Sequence, residues 1–385
     1  MKRIYMDHAA TTPTDPRVIK AMEPYYQEKF GNSASTHSFG EEARQAVEKA
    51  RETIAKAINA KPEEIYFTSG GTESDNLAIK GTMHANKEKG KTLTTTNIEH
   101  HAVTHSARTL EKEGFQTEYM KANTQGFVTT QEAQKALSKK PVLASVMHVN
   151  NEIGTIQPIK EIGKICREQG TIFHTDAVQS MGKEKINVEK MNIDLMSASA
   201  HKFYGPKGIG FLYKKEGIKI QPIMDGGNHE KGLRPSTLNT PGIVGLGEAT
   251  RIAQREMDEE REREKTLRDM LVKGATEIEN SWINGGNPKT AGCAALGFDY
   301  VEGQSMLVLL SDKGIACSTG SACNSEGLEP SHVLIALGLP RVKCHGSLRF
   351  TLGKSNTKEQ VKYVLEELPK TVQKLRDISP LGGKQ

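Results

Sequence analysis

No apolar run in the sequence is long enough to cross a bilayer, so membrane attachment through a spanning helix is not expected. The stretch from Met1 to Asp7 has no charged start leading into an apolar segment and a small-residue cleavage site. No secretory signal is expected there, and the reading is a cytoplasmic protein. Cysteine is scarce: the five are Cys166, Cys293, Cys317, Cys323 and Cys344, an odd number at irregular positions. No C-x-x-C pair occurs, which leaves neither a disulfide framework nor a structural zinc site indicated. Internal repeats and low-complexity blocks are absent. So is any large block of one charge: the net +5 is scattered among carboxylates, and no direct nucleic-acid partner is expected. What remains is the composition of a soluble enzyme, and 385 residues is more than one core usually holds.

Short apolar runs alternate with helical patterns through the first two-thirds. Ala43, Ala46, Val47, Ala50, Ile54, Ala57 and Ile58 fall on one face and predict a helix from Glu41 to Asn59. Ile65 to Thr68 reads as a buried strand, followed by glycines and a helix from Glu73 to Met83. Val142 to Val149, Ile172 to His174 and Ile193 to Met196 read as further strands, with a helix carrying Ile159, Ile162, Ile165 and Cys166 that Gly170 ends. Strands separated by helices imply a mainly parallel sheet. A charged stretch from about Glu248 to Glu279 fits a solvated helix bridging two bodies. Beyond it, strands near Gly292 to Phe298 and Ser347 to Leu352 alternate with helices near Ser305 to Lys313, Ser331 to Leu337 and Lys358 to Leu375.

Three local signals carry chemistry. Thr68 to Ser74 places glycines between a strand and a helix, where backbone N–H groups can hold an anion; the Gly-Lys-Ser/Thr of a Walker loop is missing. Asp176 follows an apolar strand at its carboxyl end, where open parallel sheets bind ligands. Its bland alternative is a helix cap. Lys202 sits in Ser197 to Gly208, among small residues that can strip water from its amine and free it for imine formation. Each signal alone has an ordinary structural explanation. Together they supply donors for a phosphate, a carboxylate for a pyridine nitrogen and an amine for an aldehyde carbon, which is what pyridoxal 5'-phosphate requires.

With these residues in view, the sequence resembles the cysteine desulfurases, of the class V aminotransferase group of fold-type I pyridoxal phosphate enzymes. The likeness runs from Asp7-His8-Ala9-Ala10-Thr11-Thr12-Pro13 to Ser347-Leu348-Arg349-Phe350. It includes Phe30-Gly31-Asn32, Gly71-Thr72-Glu73-Ser74-Asp75-Asn76, Glu99-His100-His101-Ala102-Val103, His148 to Gly154, Ala200-His201-Lys202 and Ser318 to Cys323. The resemblance implies an α/β fold: a large domain, 15–255, with a mainly parallel seven-stranded sheet flanked by helices. A smaller α+β domain, 1–14 with 256–385, would carry a mobile cysteine loop at about 318–329. Lys202 would hold the cofactor and shuttle protons, Asp176 would pair with the ring nitrogen, Gln179 would donate to the ring phenolate oxygen and His100 would stack on the ring. His101 competes for that stacking role; the family pattern favours the histidine directly after the glutamate. Gly71, Thr72, Ser199 and His201 would bind the phosphate, with Thr237 reaching it from the second subunit of a homodimer. Asn151 and Arg349 would hold the substrate carboxylate, and Asn32 would line the same pocket.

Cys323 is the expected sulfur carrier. Its flanks, Ser318 to Ala322 and Asn324 to Gly327, are too polar for a core strand. The implied reaction takes sulfur from L-cysteine as a Cys323 persulfide and leaves alanine. The sulfur then passes to an acceptor protein, an iron–sulfur scaffold or a tRNA-thiolation protein. No metal site is expected beyond Cys323 as a transient iron–sulfur ligand. Cys317 and Cys166 read as packing residues. Two positions depart from the family pattern: Asn228 and Ser236 stand where glycine is usual, in the stretch expected to reach the other subunit. The rival readings are a selenocysteine lyase or another enzyme of the group, and a non-catalytic sulfur-transfer scaffold.

Overall fold

The computed structural model describes residues 3–320 and 329–379. Among these residues the strands in chain order are β1 (Ile4–Tyr5), β2 (Ile65–Thr68), β3 (Thr92–Thr96), β4 (Gln116–Met120), β5 (Leu143–Ser145), β6 (Ile172–Asp176), β7 (Leu195–Ser199), β8 (Gly210–Lys214), β9 (Ser281–Ile283), β10 (Cys293–Phe298), β11 (Ile315–Ala316) and β12 (Ser347–Thr351).

One seven-stranded sheet has the order β2-β8-β7-β6-β5-β3-β4. Neighbours from β7 to β4 pair in parallel, while β8 is antiparallel to both β2 and β7. β2 therefore runs in the same direction as β7. Helices His101–Lys112, Thr130–Leu137 and Ile159–Gln169 make the crossovers between the parallel strands. The last ends on Gly170 at φ 72°, a conformation that costs glycine nothing.

The sheet is covered on both faces. Ile54, Phe67, Phe173, Phe211 and Leu246 belong to the core on one side; Leu77, Met83, Leu93, Val103 and Leu212 belong to the other. Each fully buried side chain of this size contributes roughly 1.5–3 kcal/mol. The helix expected from Glu41 starts earlier, at Ser38, because the His37 side chain accepts from the Gly40 N–H and caps it.

A second core joins Ile4, Met6, Phe350, Val361 and Leu368 around the sheet β12-β10-β9 and the pair β1-β11. The helix Thr240–Ala275 links the two cores, giving Ile243, Leu246 and Ile252 to the first and Leu267, Leu271 and Ala275 to the second. Its charged stretch is not solvated all round. Glu264 turns inward, and burial pushes its carboxyl up to about 7 against the opposing pull of Lys183.

Candidate active site

Because β2, β3, β5, β6 and β7 run the same way, the turns that follow them gather at one edge of the sheet. A cavity of about 280 Å³ opens there, lined by Ala9, Ala10, Gly71, Thr72, Asp75, His100, Met147, Asn151, Asp176, Val178, Gln179, Ser199, His201, Lys202 and Arg349.

After β2 the chain turns at Gly70, φ 155°, into a helical run that begins at Gly71. The turn lies tight on its neighbours. A Cβ on Gly71 would lie 2.5 Å from Val178 Cγ2, and one on Gly210, between β2 and β7, would lie 2.7 Å from the Gly70 Cα. Glycine at both positions lets the free N–H groups of the helix start, Thr72 and Ser199 face one space.

Asp176 ends β6 with 5% of its surface exposed, and its Oδ1 accepts the Val178 N–H at 2.8 Å. Burial raises its carboxyl to about 6, while that backbone donor and the Lys202 charge favour the anion. Lys202 follows β7 in a short 3-10 turn. Its Nζ donates to the carbonyls of Ala9 at 2.8 Å and Ala10 at 2.7 Å. Gln179 Nε2 donates to the same Ala9 carbonyl at 2.9 Å, so the N-terminal segment holds both side chains at the cavity.

His100 caps the helix His101–Lys112, its Nδ1 accepting the Ala102 N–H at 3.1 Å, which leaves the ring proton on Nε2. Burial, followed by the Lys202 charge, lowers it to about 4, so it is neutral near pH 7. The cavity is lined by His100 and not by His101, whose ring instead lies 5.0 Å from those of His105 and His332. His201 is likewise lowered to about 4 by burial and then Lys202, and its Nδ1 meets the Thr11 hydroxyl at 3.1 Å.

Arg349 enters from β12. Nη1 donates to the Asn151 carbonyl at 2.7 Å and Nη2 pairs with Asp7 at 2.9 Å, while Nε is buried with no partner among the described residues. Two of the five guanidinium N–H groups are thus spent on these partners, and others remain to serve a ligand.

Asn32 and Thr237 are both exposed and do not line this cavity; the Asn32 side chain accepts the Ala34 N–H at 3.0 Å in its own turn. Cys323 lies outside the described residues. Cys317 packs against the second core, and burial raises its thiol well above the usual range, as suits a packing residue. Cys166 is fully buried in the first core.

The residues that sequence reasoning passed over are the Ala9 and Ala10 carbonyls, Met147 and Asp75. Ala9, Ala10 and Asp75 stand inside motifs that carried the resemblance, so their signal was present but attached to no role.

The Aminotransferase class-V family matches residues 4–364. The cysteine desulfurase IscS of Clostridium botulinum (strain Hall) is 50% identical over 387 residues, spanning 99% of this chain and 97% of that protein. A solved NifS-like protein superposes with a TM-score of 0.91 at 38% identity, covering 97% of this chain and 100% of its own. The structure of SspA in complex with cysteine gives 0.80 at 36% identity, covering 92% and 100%. This chain belongs to the class-V aminotransferase family, in the branch of the cysteine desulfurases.

Proposed function

We propose that this chain uses pyridoxal 5'-phosphate held on Lys202 to remove sulfur from L-cysteine, leaving L-alanine and a persulfide on Cys323. The observation that carries the reading is the meeting of Lys202, Asp176 and the Gly71–Thr72 turn around one cavity. The donor set fits the cofactor: a turn at Gly71 with no room for a side chain, and a buried carboxylate, Asp176, whose anion the Val178 N–H and the Lys202 charge favour against burial.

When bound, the cofactor supplies an electrophilic carbon and a cationic ring that accepts electrons. Gly71, Thr72, Ser199 and His201 would hold its phosphate, Asp176 would pair with its ring nitrogen and Gln179 would donate to its phenolate oxygen. His100 would stack on the cofactor, its own ring proton being on Nε2 because Nδ1 accepts from Ala102. Lys202 Nζ takes and returns the proton at the substrate α-carbon. Arg349 and Asn151, which line the cavity, would orient the substrate carboxylate. The Cys323 thiolate attacks the substrate sulfur, so that an S–S bond forms as the C–S bond breaks; the electron pair of that bond stays with the substrate, whose β-carbon takes up a proton and becomes the methyl group of L-alanine.

The persulfide passes to an acceptor protein, an iron–sulfur scaffold or a tRNA-thiolation protein, within the cytoplasm. The working unit is a homodimer in which Thr237 completes the phosphate site of the other copy. Exposed Tyr26, Phe30, Phe39 and Met224 support an apolar contact between copies. The division at 15–255 against 1–14 with 256–385 follows the two cores.

Incubating the cofactor-loaded protein with L-cysteine tests this. Alanine and one extra sulfur on the Cys323 peptide are expected, and Lys202→Ala should stay colourless and form neither. Alanine formed without sulfur on that peptide would remove Cys323 from the reaction; colour retained by Lys202→Ala would sink the assignment of the lysine.

A further inference from the structure

Three carboxyl groups lie near enough to repel one another at the cavity: Asp176 on β6 and Asp75 in the first helix after β2, which line it, and Glu99 in the turn after β3, behind them. Asp75 lines the cavity, is 1% exposed, and among the described residues leaves its Oδ1 without a hydrogen-bond partner. Among the described residues the basic group within ion-pair reach of it is His174, whose Nε2 lies 3.7 Å from Oδ1.

That histidine is not a cation. Its ring is fully buried, Nδ1 meets the Ser145 hydroxyl at 2.8 Å and Nε2 meets the Ser197 hydroxyl at 3.0 Å. Burial lowers it to about 3, so it is neutral at any working pH. The other groups facing Asp75 make matters worse for a negative charge. Asp176 and Glu99 both repel it, and only the Ser197 hydroxyl favours the anion. Glu99 is itself sealed and raised to about 8 by burial, its Oε1 already accepting from Thr96 and Met147.

An unpaired buried carboxylate costs several kcal/mol, more than holding a proton does. Asp176 differs from its neighbours in having the Val178 N–H and the Lys202 charge on its side. The surroundings therefore push two like groups apart, as acid and base pairs in active sites commonly are.

We propose that Asp75 is a positioning residue of the cofactor site that works as an uncharged carboxylic acid, lining the buried wall of the pocket with hydrogen-bonding capacity while leaving Asp176 as the one anion presented to the cationic ring. This rests on the assignment of pyridoxal phosphate to the pocket. A second anion at that wall would share the ring's charge and weaken the pairing at its nitrogen. An apolar side chain there would leave the Ser197 and His174 layer short of a partner.

Two variants separate the possibilities. Asp75→Asn keeps the shape and the neutrality; Asp75→Leu keeps the size and removes the polar end. In cofactor-free protein, thermal unfolding is compared with wild type from pH 5 to pH 9. Folded wild type holds the Asp75 proton that the unfolded chain releases near pH 4, so its stability advantage is full below that pH and is lost as pH rises. Asp75→Asn has no such proton, and its stability relative to wild type should improve steadily with pH. A constant deficit of Asp75→Asn at all these pH values would show an ionised, paired Asp75 and overturn the proposal.

With cofactor added, the visible band and pyridoxal phosphate affinity of Asp75→Asn should stay within about twofold of wild type, while Asp75→Leu loses about tenfold. An Asp75→Asn that loses the cofactor as Asp176→Asn does would also overturn it. Should the variants fail to fold, the infrared carbonyl stretch of a protonated acid is sought in wild type, resistant to titration up to pH 8; its absence counts against the proposal. If wild type never binds the cofactor, the functional reading fails, while the cofactor-free unfolding still decides the protonation of Asp75.

Discussion

At the carboxyl edge of the seven-stranded sheet, strand register does the positioning. Asp176 sits opposite Ser197, Ser199 opposite Gly210, and both Asp176 and Ser199 are buried in ordinary extended backbone. The segment from 221 to 237 holds its shape by other means. Residues 221–228 are all exposed, and the chain then passes through Glu230, Lys231, Gly232 and Ser236 at φ 49°, 57°, 76° and 100°. Two side chains pin it. Glu230 binds Arg51, and Arg234 binds Glu73 at 2.8 Å in the first turn of the helix that begins at Gly71. The difference separates the part of the site that is built within one chain from the part that, in the proposed dimer, a second chain would complete. The edge closes on itself through hydrogen bonds between strands, whereas the segment is anchored so as to present Thr237 outward.

The anchor can be broken. Glu230 has 2% of its side chain exposed and Arg51 has 11%. The two share bonds of 2.8 and 2.9 Å, and Glu230 also accepts the Phe67 N–H at 2.8 Å, directly on β2. Replacing Glu230 with Ala removes the acceptor of the Phe67 N–H and, among the described residues, leaves the half-buried Arg51 with only Glu48 and the Ile65 carbonyl. We expect a loss of about 3–5 kcal/mol in denaturant unfolding, the usual cost of breaking a buried pair from one side. A loss below about 1 kcal/mol would mean that segment and sheet are energetically independent.

The same contrast explains what could be read before the structure. β2 was legible because Ile65, Tyr66 and Phe67 are apolar and β-prone. β3, Thr-Leu-Thr-Thr-Thr, passed unnoticed because its composition is polar, yet Leu93 to Thr96 are buried. Thr95 spends its hydroxyl on the Ser145 carbonyl at 3.0 Å and Thr96 on Glu99 at 2.7 Å. Such pairing depends on neighbours far along the chain, and no local pattern reveals it. Glu264 was hidden in a run of charge for a similar reason: which face of a long helix meets a second body is a tertiary fact. Lys202, Asp176 and the Gly71 turn were legible because each stands directly after a strand. Asp75 was not, since a carboxyl inside a helix start reads as a cap.

A milder test concerns Thr237, exposed and away from its own chain's cavity. Thr237→Ala should weaken pyridoxal phosphate binding about tenfold, the loss of one hydrogen bond to a charged group. Mixing it with Lys202→Ala sharpens the comparison. In a mixed dimer, one site would combine the intact Lys202 of the first chain with the intact Thr237 of the second. Titration of the mixture should recover a class of wild-type-affinity sites. If no such class appears after subunit exchange, Thr237 does not serve the neighbouring copy, and the segment loses the role assigned to it.

The smallest effect should come from the backbone alone. Ser236 and Asn228, both in this segment, differ in conformation. Ser236 lies at φ 100°, where an L-residue is strained by about 1 kcal/mol or more, while Asn228 lies at φ −83°, where it is not. Glycine at 236 removes that strain at a cost in unfolded-chain entropy of about 0.4–1 kcal/mol, so a net gain of a few tenths to about 1 kcal/mol is expected. Glycine at 228 incurs the entropy and gains nothing, and should destabilise by a few tenths. Differential scanning calorimetry of the two variants should therefore move the transition in opposite directions. If both lower it, the conformation at Ser236 is imposed by a contact that serine itself makes, and the segment is held by a third anchor beyond Glu230 and Arg234.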